Sequence, residues 1–156
     1  MRLSTTLLAV GLAGCSTIPR PANARSEERR IIGTDGAPAA IGPYSQGVMI
    51  GDTLYVSGQI PLDPRTGQLA SGGIREQTAQ VMRNISAILA AAGLDFDEVV
   101  QAQVFLADLN DFAAMNEAYA TCFTVPPART TIQAGRLPRD ALIEIAVIAR
   151  KRGKAR

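Results

Sequence analysis

The 156-residue chain is 47% hydrophobic and 19% charged with a formal net charge of +2, the profile of one ordinary globular domain rather than a disordered or fibrous chain. It contains no His, no Trp and two cysteines, Cys15 and Cys122. Ser-His-Asp and Cys-His hydrolysis, His-ligated zinc, Cys-only zinc and a disulfide framework are thereby excluded, leaving carboxylates, Arg, Tyr, hydroxyls and backbone groups for any chemistry.

Charge is unevenly placed. Residues 1–30 carry five Arg against Glu27 and Glu28, and Arg150, Lys151, Arg152, Lys154 and Arg156 make a second basic patch. Between them, residues 31–149 hold six Arg, no Lys and twelve acidic residues, a net of −6. Such a body is a poor footprint for nucleic acid, which needs clustered cations, and the basic tail reads as a solvated C-terminus.

The chain starts with Arg2, an apolar run from Leu3 to Leu12 and the small residues Ala13 and Gly14, the layout of a secretory signal. The run is shorter than the about 20 apolar residues that span a bilayer. Leu12-Ala13-Gly14-Cys15 resembles a bacterial lipobox, in which the Cys becomes the N-terminus and carries two acyl chains, enough for stable anchoring. The expectation is a signal peptide over 1–14, lipid attachment at Cys15, a Pro- and Arg-containing linker over 15–30, a domain over 31–150 and a basic tail over 151–156. That places the protein in the periplasm as a membrane-anchored lipoprotein; the alternative is a misassigned start and a cytoplasmic chain.

Within the domain, Gly47–Ile50 and Leu54–Ile60 read as strands separated by the turn Gly51-Asp52-Thr53. Asp63-Pro64-Arg65-Thr66-Gly67 is a further turn. Val81, Ile85, Ile88, Leu89 and Ala92 fall at helical spacing within 74–92, and Gly93 stands where a left-handed cap belongs. Val99–Ala107 is a β-branched strand; Asp108 caps a second helix over 109–123 that Val125-Pro126-Pro127 ends. Arg129–Ala134 and Leu142–Ala149 are the last strands. This order predicts an α+β fold: one mixed sheet with two helices on one face, the other face left bare for an oligomer to cover.

Glu144 is the single ionisable side chain in the last strand, LIEIAVIA. It either faces solvent or sits in an apolar pocket, where desolvation raises its pKa toward the range useful for proton transfer. On the preceding strand Arg129 and Thr131 share one face, Thr130 and Ile132 the other. A hairpin turning about Leu137-Pro138 would pair Thr131 with Glu144 and Arg129 with Ala146, bringing guanidinium, hydroxyl and carboxylate to one face. An Arg129–Glu144 salt bridge is the alternative to a site for a carboxylate ligand.

Pro127-Ala128-Arg129, Leu137-Pro138 and Ile143-Glu144-Ile145 resemble the signature of the RidA (YjgF) family of reactive intermediate deaminases. The likeness extends to residues 39–47, 56–61, 92–94 and 108–112 and so covers nearly all of 34–152. It implies a chorismate-mutase-like homotrimer with clefts between subunits, hydrolysing 2-aminoacrylate and 2-imino acids to 2-keto acids and ammonia without a cofactor or metal. By matching position, Arg129 would clamp the substrate carboxylate and Glu144 would activate water and shuttle its proton. Tyr44 from the neighbouring subunit would close the pocket, Gly58 beside Ser57 would bind substrate through its backbone, Thr131 would line the wall, and Asn116 is a further candidate. The alternatives are a trimeric carboxylate-binding module without turnover and a ribonuclease, which the acidic body disfavours. Thr131 stands where the family often has Cys, Thr130 where it often has a different small residue, and the connection 122–127 is short, a change that bears on the cleft rim. Cys122 reads as a core or interface thiol. The deaminase reading requires Arg129 and Glu144 to be neighbours in a dry crevice where two protomers meet; groups that point into bulk water or lie on opposite sides of the sheet count against it and leave only the architecture.

Overall fold

The computed structural model describes residues 28–153. β1 (Arg29–Ile32) pairs antiparallel with β2 (Gly47–Ile50), so Arg29 and Arg30, expected in the linker, belong to the sheet. β2 and β3 (Thr53–Gln59) form the expected hairpin with Ile50 opposite Thr53. Helix α1 (Ile74–Ala91) follows, closing into Gly93 at φ 74°. β4 (Val99–Leu106) leads to Asp108, whose carboxylate accepts from the Asn110 N–H at 2.9 Å. What Asp108 caps is a short 3-10 turn, Leu109–Asp111; α2 itself runs only from Phe112 to Ala120, shorter than the 109–123 expected. β5 (Ala128–Gln133) and β6 (Ile143–Arg150) complete a six-stranded mixed sheet in the order β1-β2-β3-β6-β4-β5.

The expected β5–β6 hairpin does not form. β5 runs parallel to β4, and β4 lies antiparallel to β6, between the two. The reason is α2: a helix between two strands is the crossover that returns the second parallel to the first, whereas a hairpin needs only a tight turn.

Both helices cover one sheet face. Val81, Ile85, Ile88 and Leu89 of α1 and Met115 and Tyr119 of α2 pack on Leu54, Val56, Ala102, Val104, Leu106, Ile143, Ile145, Val147 and Ala149. Buried polar groups of α1 hold the neighbouring loops: Gln77 accepts from the Leu142 N–H at 2.9 Å, and Asn84 donates to the Ile60 and Leu62 carbonyls at 3.2 and 3.0 Å. The opposite face has no covering layer among the described residues, and Ile31, Ile50, Tyr55 and Ile132 are exposed there.

Ahead of β6, Arg139 and Asp140 adopt φ values of 61° and 57°. The left-handed region costs an L-residue about 1–2 kcal/mol. Arg136 clasps the turn, donating to the two Asp140 carboxylate oxygens at 2.7 and 3.2 Å. Arg139→Gly removes the Cβ that causes the strain, and glycine's added chain entropy offsets part of the gain. The expected outcome is a melting temperature about 2–4 °C higher, read by calorimetry; a lower value would mean that the turn is not strained.

Candidate functional site

Glu144 lies on the uncovered face, opposite Phe105 of β4. Beside it the β3–β6 register shifts between Val56 and Gln59, and this irregularity carries Ser57 and Gly58 past the carboxylate. A Cβ on Gly58 would stand 2.8 Å from Glu144 Cδ, so only glycine leaves the carboxylate its place. The Ser57 hydroxyl is used structurally, donating to the Ser45 carbonyl at 2.6 Å, while the Ser57 N–H donates to the Gln46 carbonyl at 3.0 Å. Buried Gln46 secures the loop that carries Tyr44: its Nε2 donates to Thr34, Ala37 and Pro38 carbonyls at 3.0, 3.1 and 2.8 Å, and its Oε1 accepts from the Thr34 N–H at 2.7 Å. The Tyr44 hydroxyl accepts from the Ile41 N–H at 3.3 Å.

These groups enclose a cavity of about 310 Å³ lined by Ile41, Tyr44, Ser57, Gly58, Ile60, Pro138 and Glu144. Its walls are mainly apolar, and no hydrogen bond or ion pair reaches the Glu144 carboxylate among the described residues. Burial pushes the Glu144 pKa above the ordinary glutamate value. The apolar-pocket reading of this residue therefore holds over the solvent-facing one. Tyr44, expected to close the pocket from the neighbouring subunit, lines the Glu144 cavity of its own chain.

Arg129 lies elsewhere. It stands opposite Ala102, and through it Val147, on the helix-covered face; Thr131 stands opposite Val104, itself paired with Ile145. The expected pairing of Thr131 with Glu144 and of Arg129 with Ala146 is therefore wrong, and so is the shared face: guanidinium and carboxylate occupy opposite sides of the sheet, so within one chain the condition set for the deaminase reading is not met. No Arg129–Glu144 salt bridge exists within the chain. The Arg129 guanidinium carbon sits 4.8 Å from the Tyr119 ring centroid and 5.6 Å from that of Phe112. Beside it a cavity of about 610 Å³ is lined by Asn116, Tyr119, Ala120, Phe123, Thr124, Pro126, Pro127 and Arg129. Asn116 thus accompanies Arg129, and the short 122–127 connection forms part of this wall. Thr131 lines neither cavity; its hydroxyl is enclosed with no partner among the described residues.

Cys122 is half-buried against the core at α2's C-terminal end. Cys15 and the signal-like segment lie outside the described residues. Among the described residues no group of three or more His, Cys, Asp or Glu is placed to hold a metal ion. Sequence reasoning missed Phe112 and Tyr119 as the partners of Arg129, although both stand within about one helical turn of the candidate Asn116.

Gly58→Ala is expected to drive the Glu144 carboxylate from its position toward solvent at a stability cost of less than about 1 kcal/mol, because a flexible side-chain end gives way, checked by a crystal structure and chemical denaturation. Glu144→Gln tests the burial cost. A carboxyl whose folded pKa is raised costs stability only where it is ionised. The substitution is therefore expected to raise the melting temperature at neutral pH and to have no effect below about pH 4.

Comparison with known proteins places this geometry in context. The Endoribonuclease L-PSP family model matches residues 34–151. A RutC family protein of Saccharolobus solfataricus is 55% identical over 124 residues, 79% of this chain and 98% of that protein. The human protein named 2-iminobutanoate/2-iminopropanoate deaminase is 50% identical over 122 residues, 78% of this chain and 89% of that protein. Among solved structures, the E. coli YjgF gene product superposes with a TM-score of 0.76 at 45% identity, covering 79% of this chain and 99% of that one. E. coli TdcF with bound serine gives a TM-score of 0.76 at 41% identity, with 79% and 99% coverage.

Proposed function

The chain belongs to the RidA/YjgF family, the Endoribonuclease L-PSP family of the matching model, and on that premise we propose that it hydrolyses enamines and 2-imino acids to 2-keto acids and ammonia at a site built by two copies of the chain. One observation carries the two-copy reading. Arg129 and Glu144, on opposite faces of one sheet, each stand unpaired beside their own open cavity. A contact that sets the β5 edge of one copy against the uncovered sheet face of the next joins the halves and covers the exposed apolar residues. Three such contacts close a homotrimer.

In that site Arg129 holds the substrate carboxylate in its planar fork. Glu144, its pKa raised, takes a proton from water as the oxygen adds to the imine carbon and gives it to nitrogen, forming the carbinolamine. It then passes the hydroxyl proton to nitrogen as the carbon–nitrogen bond breaks, leaving the carbonyl and ammonia. An enamine first takes a proton on its terminal carbon to become the imine. The products are a 2-keto acid and ammonia, and the imine carbon is electrophilic enough that no cofactor enters. Tyr44 closes the Glu144 side, the Gly58 backbone beside Ser57 meets the substrate, Asn116 lines the Arg129 cavity, and Thr131 stands two residues from Arg129 on the same strand face. Several curated relatives carry the deaminase name, which supports this chemistry over a carboxylate-binding module without turnover, and the acidic body argues against RNA as substrate. Export and acylation of Cys15 complete the proposal; the mass of the mature N-terminus tests them.

With 2-aminoacrylate generated in situ, the parent is expected to accelerate 2-keto acid and ammonia release, and Arg129→Ala to lower kcat/KM about 100-fold or more. Mixing and reassembling Arg129→Ala with Glu144→Gln chains restores activity to about a quarter of the parent's, because intact halves then meet at one random site in four. A folded mixture as inert as either variant would remove the two-copy site.

A further inference from the structure

Of the ten described arginines, Arg129 alone is not solvent-exposed. A charge withdrawn from water normally meets an opposite charge. Here the pairing runs the other way. Exposed Arg65, Arg75, Arg136 and Arg152 have carboxylate partners, while half-buried Arg129 has none among the described residues, in a body that holds twice as many acids as arginines. What meets it is aromatic: the faces of Tyr119 and Phe112, both supplied by α2.

A ring face attracts a cation through its quadrupole without cancelling its charge or occupying its N–H donors. A carboxylate in the same place would do both. We propose that Tyr119 and Phe112 are positioning residues, an aromatic cradle that holds Arg129 in a fixed orientation while leaving its charge and donors free for an anionic oxygen from outside the chain. The inference deepens the reading of Arg129 as the carboxylate clamp and rests on it. Tyr119 is suited to such a role, since it is 4% exposed, its ring lies against Phe123 with centroids 4.7 Å apart, and it cannot swing away. Burial pushes its phenol up to about 12, so no phenolate forms at neutral pH to neutralise the guanidinium beside it. Phe112, 40% exposed at the start of α2, adds a second ring face 5.6 Å from the guanidinium carbon.

The test uses the full chain with two readouts, the affinity for pyruvate as a 2-keto acid probe and the nitrogen-15-resolved Nε–Hε resonance of Arg129. In the parent that resonance is expected to be displaced by the ring currents. Tyr119→Leu should abolish most of the displacement and weaken pyruvate binding and KM about tenfold, with kcat changing much less. Tyr119→Phe keeps the ring and should retain both properties within about threefold. Phe112→Leu, at an exposed position, gives the same sign with a smaller effect and serves if Tyr119→Leu does not fold. An undisplaced parent resonance, or pyruvate binding by folded Tyr119→Leu or Phe112→Leu equal to the parent's, overturns the cradle. Should the resonance be displaced while Arg129→Ala leaves turnover intact, the clamp reading fails, and with it the purpose assigned to the cradle. Should turnover need Arg129 but not the rings, the clamp stands and the cradle falls.

Discussion

The parallel pairing of β4 with β5 is the constraint from which the rest of this molecule follows. Paired residues on neighbouring strands point to the same face, and successive residues along a strand alternate. Glu144 is level with Phe105 and, through it, with Ile132. Arg129 is three positions before Ile132, an odd offset, so the two charges must lie on opposite faces. With β4 inserted between them, no side-chain rotamer can bring them together. The charges that would neutralise each other in a β5–β6 hairpin are kept apart by topology.

Separation leaves each charge with its own burial problem, and the two are handled differently. On the uncovered face, Glu144 is desolvated by apolar walls and loses the advantage of ionisation. On the covered side, the Arg129 guanidinium stands against rings and not acids, so no carboxylate of the described chain compensates its charge. One half therefore offers a carboxyl prepared to exchange a proton, the other a fixed cation. In the proposed function a substrate carrying a carboxylate and an electrophilic carbon would need both, at a spacing set by the proposed contact between copies. In such a heterologous contact the two surfaces differ, and it forms a ring where its rotation closes. The same contact would cover Tyr55, Ile50 and Ile132, which a lone domain leaves in water.

Most of this fold was legible in the chain. The hairpin at 47–59, α1 with its glycine stop, the β4 strand and the α+β class all follow from periodicity and turn chemistry, because local propensity and tertiary packing agree there. β1 escaped notice because its first residues, Arg29 and Arg30, look like a continuation of the polar linker, whereas an edge strand tolerates charge on its exposed side. The error in β5–β6 pairing was of another kind. Sequence proximity favours a hairpin, and the cue against it, the helix before β5, bears on topology and not on the strands themselves. Glu144 and Arg129 were identifiable as charges among apolar neighbours, but the distance between them depends on strand order, which alternation alone does not encode. Helical spacing does not single out Phe112 and Tyr119, because an aromatic that faces a cation has the same periodicity as one that faces a leucine.

Departures from ordinary local geometry collect around Glu144. The β3 register breaks at Ser57 and Gly58, Gly58 yields its side-chain space to the carboxylate, and the turn bearing Pro138 continues into two consecutive left-handed residues. Arg129 is held instead by regular elements, a strand and a helix packing at ordinary distances. Strained backbone survives only where its surroundings over-determine it, and here the Gln77, Asn84 and Gln46 side-chain bonds supply that determination from three directions. The asymmetry follows from what lies behind each group. Arg129 is met by ring faces that a regular helix already presents, so its strand needs no irregularity. Glu144, on the uncovered face, has no such element behind it, and its surroundings are shaped by the backbone of the neighbouring strand and turn instead.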